Sequence, residues 1–389
     1  MPLYRPLDES RREIRVLCIP RPDNPLSQDD LLQCTLRQVS LDDFSDPYSK
    51  VLDATKHANP TLWNMLWVQL KAADSTPDFL YDQNEGERHS ESGSHNGLMN
   101  LCPITEQRYN WGDFIALSYE WGDPARISRM VVNGVVITVT RNLRDALRDI
   151  CTAWWASNKY SEEVYLWADA VCINQQDVAE KGYLIKLMGE IYAHARNVYA
   201  WTGPGLEFHE VASKVLDGFR LARENGVRLT QKEESLFSEE KLRGWDVIYQ
   251  LASRSYWTRL WIIQEQLLAP LTSHLFLGPT SSRVLDFMYA VRAMIARQIA
   301  TSELSERYTA SWRKAFPLDH FTNFIALYEL SFNRLCLDSW VGEKKYPDLP
   351  RLMFCAALAQ QKDERDKVYG LLSLMDPEIR HAVNVDYNK

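Results

Sequence analysis

Three short apolar runs alternate with segments of helical periodicity, and this alternation constrains the fold more than any other feature of the sequence. The runs are FIALSY at 114–119, VYLWADA at 164–170 and NVYAWTG at 197–203. Strand, helix, strand, helix and strand at this spacing require right-handed crossovers. We therefore predict an α/β fold whose central sheet is mainly parallel and carries helices on both faces.

The segments around these runs carry local signals for helices and for a hairpin. MVVNGVVITV at 130–139 predicts a β-hairpin with an Asn-Gly turn. A helix is expected from Asn142, which can cap it, and another after Asn174, where Asp177 favours the N-terminus. The apolar stripe predicted for the second helix consists of Leu184, Leu187, Met188, Ile191, Tyr192 and Ala195.

Residues 1–44 contain two β-rich runs, EIRVLCI at 13–19 and CTLRQVSL at 34–41. They predict an N-terminal strand pair that belongs to the same domain as a core at 113–280. Ligands of α/β sheets bind at the carboxyl ends of the strands, so we expect the functional site at the ends of the core strands.

Residues 45–112 interrupt this pattern and form a predicted insertion. It contains a helical patch, TLWNMLWVQLKAA at 61–73, and a stretch without apolar residues at 82–97 that predicts a flexible loop. The region at 281–389 is expected to be a mostly helical C-terminal extension.

Composition narrows the classes of partner and location. The 389 residues are 46% apolar, and 44 basic against 52 acidic residues give a net charge of −8 without a dense basic stripe. We therefore expect a chain with a substantial core and no nucleic-acid partner. The N-terminus opens polar, and no run of eighteen apolar residues occurs, so we expect a cytoplasmic protein without a membrane span.

The cysteines predict neither a metal site nor a disulfide framework. They number seven and form no CxxC pair, and no histidine stands near them at ligand spacing. They are Cys18, Cys34, Cys102, Cys151, Cys172, Cys336 and Cys355.

Four segments resemble, in order, the signature blocks of the fungal heterokaryon-incompatibility (HET) domain. They are FIALSYEWGD, LWADAVCINQQD, MGEIYAHARNVYAWTG and SYWTRLWIIQEQLLA. Weaker similarity extends the resemblance to 11–44, to 112–280 and to the tail, where KDERDKVYGLLSLM and VDYNK resemble the region downstream of the family's domain. Lys181 stands where the family usually has Arg, and Leu184 where it usually has Gln. Relatives tend to continue past the position of Lys389, so a further C-terminal region is expected outside this sequence.

A second resemblance concerns chemistry. LSYEWGD at 117–123 is similar to the first box of Toll/interleukin-receptor (TIR) domains of innate immunity, and RLWIIQEQ at 259–266 is similar to their WCLxEL helix. In enzymatic TIR domains the Glu of that helix supports cleavage of NAD at the nicotinamide-ribose bond, and the matching residue is Glu265. The resemblance implies a TIR-like fold, NAD as substrate with no separate cofactor, and a programmed-cell-death effector that is activated by self-association.

The residues themselves support a catalytic role for Glu265. Trp261 and Glu265 are four apart on one predicted helix, so their side chains are neighbours, and Ile262 and Leu268 flank the carboxylate. Partial burial raises the pKa of such a carboxyl group. Nicotinamide leaves as a neutral base, so one carboxylate that stabilises the ribosyl cation and holds the ribose hydroxyls can suffice.

Residues at the predicted strand ends and near Glu265 form the candidate substrate site. The aromatic rings offer stacking and cation-π contacts to nicotinamide, Gly122 permits close backbone approach, and the Asp residues can bind ribose hydroxyls or orient Arg259. The substrate-binding candidates are Ser118, Tyr119, Glu120, Trp121, Gly122, Asp123, Asp169, Trp257, Arg259 and Trp261.

Each assignment has an alternative. Glu265 can form a structural ion pair with Arg259 or Arg254, and the tryptophans can be core residues. Cys172 can act as a nucleophile only if a histidine approaches it. The whole chain can also be a non-catalytic interaction module that binds an incompatibility partner. A cleft that contains Glu265, Trp261 and the LSYEWGD loop favours the enzyme, whereas a Glu265 sealed in an ion pair favours the module.

Overall fold

A nine-stranded sheet forms the centre of the computed structural model, which describes residues 3–23, 31–54, 107–158, 161–224, 236–270, 272–299 and 349–387. The strand order is β5-β4-β2-β1-β6-β3-β7-β8-β9. The strands are β1 (Glu13–Pro20), β2 (Gln33–Ser40), β3 (Ile115–Tyr119), β4 (Ile127–Val132), β5 (Val135–Thr140), β6 (Glu163–Trp167), β7 (Asn197–Trp201), β8 (His274–Phe276) and β9 (Ser281–Arg283).

Eleven α-helices accompany these strands in the described residues. They are α1 (Asp46–Ala54), α2 (Arg141–Ser157), α3 (Asp169–Cys172), α4 (Val178–His194), α5 (His209–Glu224), α6 (Leu242–Ala252), α7 (Trp261–Leu267), α8 (Val284–Ile299), α9 (Leu349–Leu358), α10 (Asp366–Tyr369) and α11 (Pro377–Ala382). Among these residues no helix is both long enough and apolar enough to cross a bilayer. The predicted helix at 61–73 and loop at 82–97 lie outside the described residues.

The sheet is mixed, so the prediction of a mainly parallel sheet is wrong. Four neighbouring strand pairs are parallel and four are antiparallel. Short connections cause part of the difference, because β4–β5 and β8–β9 are joined by two and four residues, which cannot accommodate a crossover. The N-terminal strand β1 accounts for the other two antiparallel pairs, since it runs antiparallel to both β2 and β6.

The parallel part of the sheet is the block β6-β3-β7-β8, and it positions the candidate site. Ala116 of β3 is paired with Trp167 on one side and with Val198 on the other. These residues are fully buried, as expected for strands covered on both faces. The carboxyl ends of β3, β6 and β7 therefore meet at one edge, where Tyr119, Trp167 and Trp201 end the strands.

The predicted N-terminal strand pair and the hairpin are confirmed. Strand β1 pairs with β2 from Glu13 opposite Ser40 to Cys18 opposite Thr35. In the hairpin, Asn133 and Gly134 have φ angles of 52° and 77°. Positive φ at both turn residues suits the twist of the flanking strands, which explains why Asn-Gly predicts this turn.

Both predicted helix caps are wrong by a few residues. Helix α2 is capped by Thr140, which ends β5 and accepts a hydrogen bond from the Leu143 amide at 3.3 Å. Asn142 lies inside the first turn and donates to the Glu120 carbonyl instead. Helix α4 is capped by Asp177, whereas Asn174 supports the preceding turn by accepting from the Gln176 amide. Local spacing predicted the helices, but tertiary contacts decided which polar residue caps them.

A buried ion pair fixes α4 to the sheet. Arg15 of β1 donates to both carboxylate oxygens of Glu180, at 2.6 and 2.7 Å, and also to the Cys172 carbonyl. Glu180 in turn accepts from the Asn174 amide at 2.7 Å. Bidentate Arg-carboxylate pairs are geometrically specific, so this pair holds the segment that comes after β6 in one place.

Candidate functional site

Glu265 lies on α7 against the end of β3 and is only 2% exposed. The Ser118 hydroxyl of β3 donates a hydrogen bond to its carboxylate. Ser118 is also 2.6 Å from the Tyr256 hydroxyl, which accepts from the Gln266 amide group at 2.8 Å. Because the single Ser118 proton is used on Glu265, Tyr256 donates to Ser118. All three hydrogen bonds in this chain therefore point toward the carboxylate and stabilise negative charge there.

Arg259 supplies positive charge beside this chain. Its guanidinium donates to the Tyr119 carbonyl at the end of β3 and is only partly buried. In the described structure Glu265 has no ion-pair contact with Arg259 or Arg254, and Arg254 donates instead to Thr202 and to the Pro204 carbonyl. The alternative of a direct ion pair at Glu265 is therefore wrong. Ser118, Tyr256, Arg259, Glu265 and Gln266 together form the Glu265 cluster.

Opposing effects set the ionisation of Glu265. Burial raises its pKa to about 7, while Arg259 and the Ser118 hydroxyl act to lower it and Asp169 acts to raise it. A carboxyl group with this pKa is present in both forms near neutral pH. Such a pKa is typical of groups that take part in proton transfer or charge stabilisation, although structural groups show it too.

Trp121 and Asp169 meet next to the cluster, as their positions after adjacent strands predict. The Trp121 indole nitrogen donates to both carboxylate oxygens of Asp169, at 3.1 and 2.9 Å. Burial raises the pKa of Asp169, opposed by Arg259 and Trp121. Tyr119 is buried beside them, and its hydroxyl has no partner with hydrogen-bond geometry in the described structure. Trp121 and Asp169 are both partly exposed, so they form the solvent side of the site.

The loop after β3 is held by polar contacts rather than left free. Gly122 has φ of +75°, and a Cβ there would lie 2.4 Å from the Asn142 amide nitrogen. Asn142 donates to the Glu120 carbonyl, and the Glu120 carboxylate accepts from Ser255 at 2.7 Å. Asp123 is exposed and accepts from the Ala125 amide. Gly122 therefore serves the packing of this loop on α2, and the ligand contacts predicted for Glu120, Gly122 and Asp123 stay predictions.

The tryptophans separate into core and surface residues. Trp257 is 3% exposed, stacks on Phe287 with ring centroids 5.8 Å apart, and donates to the Leu251 carbonyl. It does not offer the predicted stacking surface, because its ring is covered by the core. Trp167 and Trp201 are fully buried, in agreement with the alternative that these tryptophans are core residues. Trp261 is partly exposed and donates to Asp366 at 3.3 Å.

Cys172 does not act as a nucleophile in this fold. Its side chain is completely buried, and burial raises the pKa of its thiol to about 12. The thiolate needed for attack is therefore not formed near neutral pH. The cysteine-hydrolase alternative is wrong for this reason.

A cavity among the described residues lies away from Glu265. It has a volume of about 790 Å³ and opens near the amino ends of β3, β6 and β7, at the edge opposite the cluster. Residues on its wall include Asp113, Trp154, Glu163, Tyr165 and Arg196. None of the residues that line it belongs to the Glu265 cluster. Glu265 itself is 2% exposed, so its carboxylate is covered in this structure, although no ion pair with Arg259 or Arg254 seals it.

Two members of the cluster were not predicted from the sequence. Tyr256 contacts Ser118, and Gln266 contacts Tyr256, although both residues are distant from Ser118 along the chain. The signal that could have found Tyr256 is a tyrosine hydroxyl three residues before Arg259 in the SYWTRLW segment. Gln266 offers a similar signal, as a buried amide beside Glu265 on a short helix.

Comparison with known proteins finds a family match that covers all of the cluster except Gln266. Residues 114–265 match the family described as heterokaryon incompatibility protein (HET). The chain is 27% identical over 318 residues to heterokaryon incompatibility protein 6, OR allele, of Neurospora crassa, which covers 70% of this chain and 44% of that protein. The chain thus spans less than half the length of this relative. No solved structure matches. Ser118, Asp169, Arg259 and Glu265 therefore all lie in the segment that is similar to this family.

Proposed function

We propose that this chain is an effector of heterokaryon incompatibility whose HET domain cleaves NAD between nicotinamide and ribose, with Glu265 as the essential carboxylate. The biological role is supported by the match at 114–265 and by the name of the Neurospora relative. The reaction is supported by the similarity of LSYEWGD and RLWIIQEQ to TIR motifs and by the contacts of Glu265.

The observation that carries the proposal is the hydrogen-bonded chain that ends on Glu265. Donors from Ser118, Tyr256 and Gln266 are aligned toward the carboxylate, and Arg259 lies nearby. Preorganised donors of this kind stabilise an anion without rearrangement during the reaction. Such an arrangement suits a carboxylate that must stay ionised beside a forming cation.

The reaction can be derived from this electrostatic arrangement. The bond between ribose C1′ and the nicotinamide nitrogen breaks, and its electron pair leaves with nicotinamide as a neutral base. The ribosyl cation that remains is stabilised by ionised Glu265 until water adds at C1′ and loses a proton. Asp169 can bind the ribose hydroxyls, and Trp121 and Trp261, both partly exposed, can contact the nicotinamide ring.

The closed state of the site bears on regulation. Glu265 is 2% exposed, so NAD reaches its carboxylate only after neighbouring side chains move. An enzyme that depletes a shared cofactor must be inactive at rest. We propose that self-association opens or completes the site, in agreement with the behaviour that the TIR resemblance implies.

The second candidate function is a non-catalytic interaction module that binds an incompatibility partner. The same closure favours it, since a buried carboxylate can also serve to fix α7 against β3. The large cavity at the opposite edge gives such a module a surface that does not involve Glu265.

Nicotinamide release distinguishes the two candidates. Purified wild type, Glu265→Gln and a control, Glu210→Gln, are incubated with NAD, each as prepared and after fusion to an inducible dimerisation domain. Glu210 is an exposed glutamate of α5, so its substitution leaves the site unchanged. We expect Glu265→Gln to lower release at least about 1,000-fold, or about 4 kcal/mol in transition-state stabilisation.

The alternative outcomes are equally clear. Equal release by wild type and Glu265→Gln contradicts the role of the carboxylate. If no form of the protein releases nicotinamide, even after induced dimerisation, the proposal of an enzyme is wrong and the interaction module remains.

A further inference from the structure

The helix that carries Glu265 is too short to hold its own position. Helix α7 has seven residues, and Leu260 at its N-terminus provides no side-chain cap. Isolated helices of this length are not stable in water, so the placement of Arg259 and Glu265 depends on the elements packed around them. Residues 360–387, which we call the C-terminal strap, make many of these contacts although they lie outside the matched segment 114–265.

The strap fixes the backbone around Arg259. Gln360 forms a parallel bridge with Arg259. Its amide donates to the Thr258 carbonyl at 2.6 Å, and its carbonyl accepts from the Leu260 amide at 3.1 Å. The residues on both sides of Arg259 are therefore hydrogen-bonded to one residue of the strap.

A second contact holds the first turn of α7. The Trp261 indole donates to Asp366 at 3.3 Å, and the Tyr387 hydroxyl donates to the other oxygen of the same carboxylate at 2.6 Å. The Tyr387 ring lies against the cations of Lys181 and Arg365, 4.5 and 5.0 Å from its centroid. Asp366 is thus itself fixed, and it fixes Trp261.

A third contact reaches the residue beside Glu265. The Ser373 amide of the strap donates to the Gln264 side chain at 3.3 Å. Ser373 comes so close to α4 that a Cβ on Gly189 would lie 2.1 Å from the Ser373 Cβ. The strap therefore packs between α4 and α7.

We propose that the C-terminal strap is part of the Glu265 site, and that Asp366 is a positioning residue that acts through Trp261. The strap sets the distance of Arg259 and Glu265 from Ser118 on β3. Its effect on catalysis rests on the proposed NAD cleavage, whereas its effect on the order of α7 does not.

The test uses hydrogen exchange of peptides that cover 256–268 together with nicotinamide release. Asp366→Leu removes the acceptor, while Asp366→Asn keeps an acceptor oxygen without the charge. Glu364→Gln is the matched control, because Glu364 is exposed and pairs with Lys367 in the same loop. Tyr387→Phe is a milder variant that removes one donor to Asp366, and it replaces Asp366→Leu if that protein does not fold.

We expect Asp366→Leu to exchange about fivefold faster in 256–268 alone, the factor that corresponds to one hydrogen bond of about 1 kcal/mol. We expect Asp366→Asn and Glu364→Gln to match wild type. The kcat of nicotinamide release should fall about tenfold in Asp366→Leu, while KM changes less than twofold. In Asp366→Asn the kcat should return to the wild-type value.

Two outcomes overturn the proposal: unchanged exchange at 256–268, or faster exchange throughout the chain, which is the result of general destabilisation. If wild type releases no nicotinamide under any condition, the proposed reaction fails, and the exchange result still decides whether the strap positions α7.

Discussion

At the scale of single residues, the environment of Glu265 predicts how stability depends on pH. Its pKa is about 7 in the folded protein against an ordinary 4.5, mainly because it is buried. The folded state therefore holds the proton more tightly than the unfolded state. This contribution to stability is fully present below pH 4.5 and is lost as pH rises through about 7.

Glu265→Gln removes this titration, so the two proteins should diverge as pH rises. Between pH 4.5 and pH 8, wild type should lose about 3 kcal/mol more unfolding free energy than Glu265→Gln. Urea unfolding of both proteins at several pH values measures the difference. Parallel curves would show that Glu265 keeps an ordinary pKa in the fold.

Sequence reasoning located the carboxylate but not its partners. The position of Glu265 on a helix with Trp261, and the meeting of Trp121 with Asp169, could be predicted from helical spacing and strand ends. The alternative for Glu265, an ion pair with Arg259 or Arg254, is not found, and Arg259 donates to a backbone carbonyl of β3 instead. Tyr256 was missed since its contact to Ser118 depends on packing between distant parts of the chain.

At the scale of elements, the packing of the strap against α4 makes opposite predictions for two glycines of one helix. A Cβ at Gly189 would lie 2.1 Å from the Ser373 Cβ, whereas a Cβ at Gly182 would meet only the Val385 carbonyl at 3.6 Å. Gly189→Ala should therefore lose about 1–3 kcal/mol of stability through overpacking. Gly182→Ala should gain about 0.5–1 kcal/mol, because Ala favours helix and restricts the unfolded chain.

Thermal or urea unfolding of the two variants measures this contrast. Adding Ser373→Gly to Gly189→Ala removes the atoms that collide and should restore much of the loss. Failure of this second change to help would mean that the loss arises elsewhere in α4.

Elements were predicted more reliably than their arrangement. The core strands and the Asn-Gly hairpin have strong local signals, and the structure contains them. Strand direction was predicted less well, because β1 joins β6 from 143 residues away, between Pro20 and Glu163. No local sequence pattern predicts a pairing between strands so far apart along the chain.

At the scale of the whole molecule, the closed site predicts that activity depends on association. If neighbouring chains open or complete the Glu265 site, nicotinamide release per chain should rise with protein concentration. Induced dimerisation should raise it at least about tenfold, or about 1.4 kcal/mol. Sedimentation measures association in parallel, and fusions that carry Glu265→Gln provide the control. A constant rate per chain across the monomer-dimer transition would contradict activation by assembly.

The central position of β1 also governs the order in which the chain can fold during its synthesis. At about 5–20 residues per second, a ribosome needs roughly 7–30 s to proceed from Pro20 to Glu163, and until then one edge of β1 has no neighbour. An unpaired edge of this kind invites pairing with other chains. The strap emerges later still. A nascent chain therefore lacks the contacts that hold Arg259 and Glu265 in place until residues 360–387 have left the ribosome.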